Sequence, residues 1–207
     1  MIHRLSRSYT SIEGAPTLER VDDEIFRLSY FARCMDCSFC HDACCSYGVD
    51  VDEPNVARIL AHREALEARL GIPASEWFEP ERARDADFPG GHFTRTRVRD
   101  GKCVFFRRSG RGCELHAFSL ENGLAYQSLK PFVSSLFPLT FDAGLLRASS
   151  EARDRTLVCT TPGTALVDGV RSDLAHYFGA ALVAELDHLR ATSGPLSLGT
   201  ESTGRGG

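Results

Sequence analysis

The chain has no apolar run of about 18 or more residues, and its opening Met1-Ile2-His3-Arg4-Leu5-Ser6 lacks the roughly 7–15-residue apolar stretch of a secretory signal. These gaps set aside a membrane span and lead us to expect a cytoplasmic protein. No strand–GxGxxG–helix signature is present, no Ser/His/Asp or nucleophilic Cys/His arrangement stands out, and no paired carboxylates are recognisable. Known catalytic patterns are therefore missing. Repeats of about 20–50 residues are also missing, which excludes a solenoid. Positive charge is not in excess: 24 Lys and Arg against 28 Asp and Glu give a formal charge of -4, so no general attraction to nucleic acid or anionic lipid is expected.

A core can nevertheless be built. Hydrophobic residues make up 43% of the 207, with 13 Phe beside a single Trp, enough apolar material for one compact domain. Residues 1–20 are polar and mixed and read as an N-terminal arm, residues 21–191 as the domain, and the Gly- and Ser-rich residues 192–207 as a disordered tail. Ile25-Phe26-Arg27-Leu28-Ser29-Tyr30-Phe31 reads as a strand. Asp52 before Pro54 is a helix start, and Val56, Ile59, Leu60, Leu66 and Leu70 mark one face of a helix over about 54–70, stopped by Gly71. The segment 92–98, turning through Arg99-Asp100-Gly101-Lys102 into Cys103-Val104-Phe105-Phe106, predicts a hairpin, and 139–147 a second one. Residues 116–122 suit a short helix, and from Ser172 the apolar Leu174, Tyr177, Phe178, Ala181, Leu182, Leu186 and Leu189 predict an amphipathic helix. Helices and hairpins without βαβ alternation point to an α+β fold, a small irregular single domain built around a cysteine-rich site.

That site is Cys34-Met35-Asp36-Cys37-Ser38-Phe39-Cys40-His41-Asp42-Ala43-Cys44-Cys45, five of the chain's eight cysteines in twelve residues. Two residues between cysteines let a tight loop aim both sulfurs at one point, and crowded thiolates repel unless a cation joins them. In a reducing compartment such a cluster indicates a metal rather than disulfides. The spacing from Cys34 to Cys44 is C-x2-C-x2-C-x3-C, the bacterial ferredoxin run with Cys45 where that run has proline. A second run is missing, so a two-cluster ferredoxin is disfavoured and one cluster completed by a remote cysteine is not. Cys103, Cys113 and Cys159 are the remote candidates, with His41 and His116 as weaker fourth ligands. Arg95, Arg97 and Arg99, with Arg107, Arg108 and Arg111, form a local basic patch best read as a solvated sheet face.

Gly101-Lys102-Cys103-Val104-Phe105-Phe106, Gly112-Cys113-Glu114-Leu115-His116, Leu129-Lys130-Pro131 and Leu136-Phe137-Pro138-Leu139 follow the cluster in order. Together with Cys37-x2-Cys40-x3-Cys44-Cys45 they resemble the YkgJ or CxxCxxCC family of zinc- or iron-chelating cysteine-cluster domains, over residues 30–147. The resemblance implies a metal-binding domain; related domains also occur in flagellin lysine N-methylases, which makes a metal-dependent protein lysine N-methyltransferase-like enzyme the alternative. One position departs from the pattern: Ser134 stands where the family usually has cysteine, and a hydroxyl is a poor ligand for a soft metal.

The candidate ligands are thus Cys34, Cys37, Cys40, Cys44, Cys45, Cys103, Cys113 and Cys159. Eight thiolates would fill two four-cysteine zinc sites, whereas the ferredoxin-like spacing favours an iron–sulfur cluster. Spacing tips the expectation toward the cluster, with zinc as the other cofactor. The partners expected are a metal ion or cluster and a protein, not nucleic acid or a membrane.

Overall fold

Residues 1–20 are not loosely attached: they build half of the largest sheet. In the computed structural model, which describes residues 1–32, 34–160 and 163–192 without the Cys34 side chain, β1 (Ile2–Thr10) pairs antiparallel with β2 (Thr17–Asp22). Leu5, Tyr9, Leu18 and Val21 point into the core while most of their neighbours face solvent. A register shift between Arg4 and Tyr9 interrupts the pairing.

Asp22 then caps a single 3-10 turn over Asp23–Phe26, so the expected strand at 25–31 shrinks to β3 (Ser29–Tyr30). Two further 3-10 turns, Cys34–Asp36 and Ala43–Ser46, bracket the cysteine loop. Past β4 (Asp50–Asp52), the Asp52 carboxylate accepts the Asn55 amide proton at 2.8 Å and starts α1 (Glu53–Ala61). The helix expected to run to residue 70 breaks at His62, and α2 (Arg63–Leu70) ends on left-handed Gly71, φ 64°.

β5 (Ala83–Arg84) and β6 (His92–Arg95) follow, then β7 (Val98–Arg99) and β8 (Lys102–Cys103). The expected long hairpin is divided. β6 lies between β4 and β5, the Thr96 and Arg97 amides bond to the Val49 and Trp77 carbonyls, and only β7 and β8 pair across the Asp100–Gly101 turn. The remaining elements are α3 (Glu114–Glu121), α4 (Phe132–Leu136), β9 (Leu139–Asp142), β10 (Leu145–Ala148), α5 (Ser150–Arg153), β11 (Thr164–Ala165), α6 (Leu166–Gly169), α7 (Arg171–Phe178) and α8 (Ala180–Thr192). The expected final helix is therefore two helices, parted at Gly179, and Ser172 lies inside the first instead of capping it. The tail assigned to 192–207 lies outside the described residues beyond Thr192.

The four-stranded sheet has the order β1-β2-β10-β9, with β2 and β10 parallel and the other pairs antiparallel. β3 pairs with β11. The fold is α+β in one domain, and two apolar clusters fill it. One joins the four-stranded sheet to α4 and α6–α8 through Leu18, Leu146, Phe132 and Tyr177; the other joins α1–α3 through Ile59, Leu66, Trp77, Phe105 and Leu115.

Candidate metal centre

The cysteine loop turns because His41 and Asp42 both adopt left-handed backbone, φ 50° and 51°, a region that Asp and His enter more readily than most residues. Cys37 and Cys40 are buried, whereas Cys44 and Cys45 are half-buried. Two ties fix this loop to the segments that carry the remote cysteines. Lys102 Nζ donates to the His41 carbonyl and the Asp42 carbonyl, each at 3.1 Å, and to Ser46 Oγ at 3.0 Å. The buried Asp42 carboxylate accepts the Gly112 amide proton at 3.1 Å and pairs with Arg111 Nη1 at 3.0 Å. Arg111 also donates from Nη2 to Cys40 Sγ at 3.6 Å. Lys102 precedes Cys103, and Gly112 precedes Cys113, so each tie brings a thiol with it.

Between those thiols the chain folds back on itself. Arg107 donates to the Gly112 carbonyl at 2.9 Å and Glu114 to the Phe105 carbonyl at 2.7 Å, with Cys113 at the start of α3. Gly112, φ 78°, lies against Met35: a Cβ there would stand 2.4 Å from Met35 Sδ. Cys159 is brought in by a third tie, its carbonyl accepting from the Phe31 amide at 2.7 Å. β11 begins just after Gly163, whose place against the Tyr30 carbonyl leaves no room for a side chain.

The result is one cavity of about 750 Å³ whose wall includes Cys37, Cys40, Cys44, Cys45, Cys103, Cys113 and Cys159. Ser134, at the position where cysteine was expected from the resemblance, lines the same cavity. The wall draws on both apolar clusters, with Phe105 and Leu115 from one and Phe141 and Val170 from the other. The Cys34 side chain lies outside the described residues. His116 lines the cavity and His41 does not appear in its wall.

Gathering is not coordination. Among the described residues, no three His, Cys, Asp or Glu side chains stand close enough together to hold a metal ion. Burial pushes the Cys113 thiol up to about 11, and burial also raises Cys103, whose Sγ donates to Thr96 Oγ1 at 3.3 Å. Each of these residues keeps some exposed surface, but protein surrounds the sulfur. Both are neutral S–H groups at pH 7 and have no attraction for one another. No disulfide joins Cys37, Cys45, Cys103 and Cys113. A cation would have to displace these protons and draw the sulfurs together.

His116 stacks on Tyr126 with ring centroids 4.3 Å apart, and burial, with a contribution from Lys130, lowers its pKa to about 4. The Tyr126 hydroxyl donates to Asp173 Oδ1 at 2.6 Å. The basic patch is neutralised: Arg95, Arg97, Arg99, Arg107, Arg108 and Arg111 each pair with a carboxylate. Asp42, Lys102, Arg111, Tyr126, Lys130 and Asp173 are residues of the site that spacing did not reveal. The local signals were that Asp42 lies inside the cysteine cluster, Lys102 precedes Cys103 and Arg111 stands two residues before Cys113.

Compared with known proteins, the chain matches no family model, no curated protein and no solved structure.

Proposed function

We propose that this chain is a cysteine-ligated metal-binding protein that takes an iron–sulfur cluster, with zinc as the competing occupant. The observation that carries the reading is the convergence of seven cysteines, from residues 37–45 and from 103, 113 and 159, on one cavity. Nothing in the core requires this: a cysteine that only fills space needs an apolar neighbour, not six other thiols. The donor set is soft and suits iron–sulfur clusters and zinc over magnesium or calcium. Arg111 beside Cys40 and Lys130 near Cys113 supply positive charge that would offset thiolates once formed. Ligands would be drawn from these seven sulfurs and Cys34. A cluster held there would supply one-electron chemistry, or cross-link the loops as zinc would.

The test is anaerobic purification followed by metal and sulfide analysis, with reconstitution by iron and sulfide. A brown protein containing both elements, weakened by replacing Cys37, Cys40, Cys103 or Cys113 with serine one at a time, is the expected result. A colourless protein with stoichiometric zinc moves the assignment to zinc. Failure to retain either metal overturns the reading.

A further inference from the structure

Beside the cysteine cavity lies a second concavity of about 220 Å³, walled by Tyr47, Glu151, Asp154, Thr156 and Leu157 among others. Tyr47, Glu151 and Leu157 belong to both walls, so the two spaces are neighbours. A reversal of the chain builds the smaller one: Asp154 closes α5, Arg155 takes left-handed backbone at φ 53°, and the Thr156 amide returns to the Glu151 carbonyl at 3.1 Å. Opposite it, the Tyr47 carbonyl accepts from Arg95 Nη2 at 2.9 Å, and Tyr47 itself is 62% exposed. Arginines neutralise other carboxylates around the cavity, Arg95 with Asp50 and Arg111 with Asp42. Glu151 and Asp154 have no such partner among the described residues. Arg153, next to them in sequence, pairs with Glu24 at 3.6 Å, and Arg155 does not line the pocket. The Glu151 carboxylate accepts from Ser150 Oγ at 3.2 Å, which leaves its charge uncompensated. Apolar surface continues outward: Val158, beside Leu157, is 52% exposed, and Phe39, edge-on to Phe31 of the cavity wall at 5.1 Å, is 38% exposed.

We propose that this pocket receives an arginine side chain of a partner protein, which thereby docks beside the cysteine cavity. A guanidinium is flat and carries five N–H donors, so it can lie on the Tyr47 ring while its edge bonds to carboxylates; an ammonium is a point charge and does one or the other. The volume suits one side chain and falls below the roughly 300–1,000 Å³ usual for a small-molecule site. Around it, Tyr47, Val158 and Phe39 offer apolar surface that a free cation would leave wet and a protein would cover. An aromatic side chain and an arginine meeting in a pocket is also the commonest make-up of an interface hot spot. The formal charge of -4 favours the approach of a basic partner. What the partner exchanges there rests on the metal reading, whereas its docking does not.

The blocked peptide acetyl-Leu-Arg-Leu-amide is the probe, with citrulline or lysine replacing its arginine, and arginine amide as the free cation. Binding to the full chain is followed by amide chemical-shift changes. The arginine peptide should saturate and shift residues around Tyr47, Glu151 and Leu157. The citrulline peptide, of the same shape without the charge, should bind at least about tenfold more weakly, the effect of losing a charge-assisted pair. The lysine peptide and arginine amide should each be weaker severalfold. Glu151→Gln/Asp154→Asn should weaken the arginine peptide about tenfold and Tyr47→Ala severalfold, with the thermal midpoint unchanged. Glu64→Gln/Glu81→Gln removes the same charge elsewhere and should leave binding as it was. No saturable binding, shifts confined to other residues, a citrulline or lysine peptide as tight as the arginine one, or equal losses in the two double variants would overturn the proposal. Arginine amide as tight as the peptide would make the ligand a small cation and overturn it too. Peptide binding by protein that retains no metal would sink the metal reading alone.

Discussion

Asp42 accepts the amide proton of Gly112 at 3.1 Å, a bond between residues seventy positions apart that joins the cysteine loop to the approach to Cys113. The same carboxylate pairs with Arg111, so its loss would leave both a buried N–H and a guanidinium without their partner. Asp42→Ala should cost about 3 kcal/mol, the range for breaking a buried pair, while Asp42→Asn keeps an acceptor and tolerates the left-handed backbone, costing about half as much. Urea unfolding of the two variants measures this. A smaller loss in Asp42→Ala than in Asp42→Asn would contradict it.

Gly112 depends on Met35 as well as on its own backbone. Gly112→Ala should destabilise the protein by about 2 kcal/mol, through left-handed strain and the clash with the Met35 sulfur. Shortening the neighbour in Gly112→Ala/Met35→Ala should recover the steric part only. A double-mutant cycle in chemical denaturation separates the two; zero coupling would show that the residues do not meet.

Strong acid should remove a stabilising charge at the corner where β2 enters its 3-10 turn. Burial raises the Asp23 pKa, but hydrogen bonds from Arg27 and the Met1 amino group outweigh it and hold the carboxyl at about 2. A depressed carboxylate stabilises the fold fully above its unfolded value near 3.8, and that contribution is lost as pH falls toward 2. Asp23→Asn should therefore cost on the order of 2 kcal/mol at pH 7 and almost nothing near pH 2. Thermal melts across that range give the answer. A difference that does not shrink on acidification would refute the assignment.

Ser134 offers a gain-of-function test. Because it lines the same cavity as the seven cysteines, Ser134→Cys should add a thiol to the proposed metal site. Metal release to a chelator should slow by about tenfold, as for one added soft ligand. Unchanged release would mean that position 134 does not reach the metal.

The elements legible in the sequence are those whose signal is local. Asp52 and Pro54 marked the start of α1, and the Asp142–Gly144 turn marked the β9–β10 hairpin. Where an apolar pattern runs on past a break, the break was invisible: Leu66 follows Ile59 across His62, and Leu182 follows Leu174 across Gly179. β1 escaped notice because only Leu5 and Tyr9 of its residues are buried and Arg7, between them on the same face, is exposed, so the two-residue alternation carries too few apolar side chains to read. The cysteine spacing named the thiols, yet the contacts that assemble them, Asp42 with Gly112 and Lys102 with His41, join residues 70 and 61 positions apart and have no spacing rule.

The cavity takes its wall from both apolar clusters, and this bears on how the chain unfolds. With nothing bound, each cluster is free to loosen on its own, so differential scanning calorimetry of the empty chain should give a broad endotherm wider than its enthalpy warrants. An occupant touching both sides welds them into a single melting unit, and occupancy then sets the transition temperature through mass action. Loading would sharpen the melt as well as raise it.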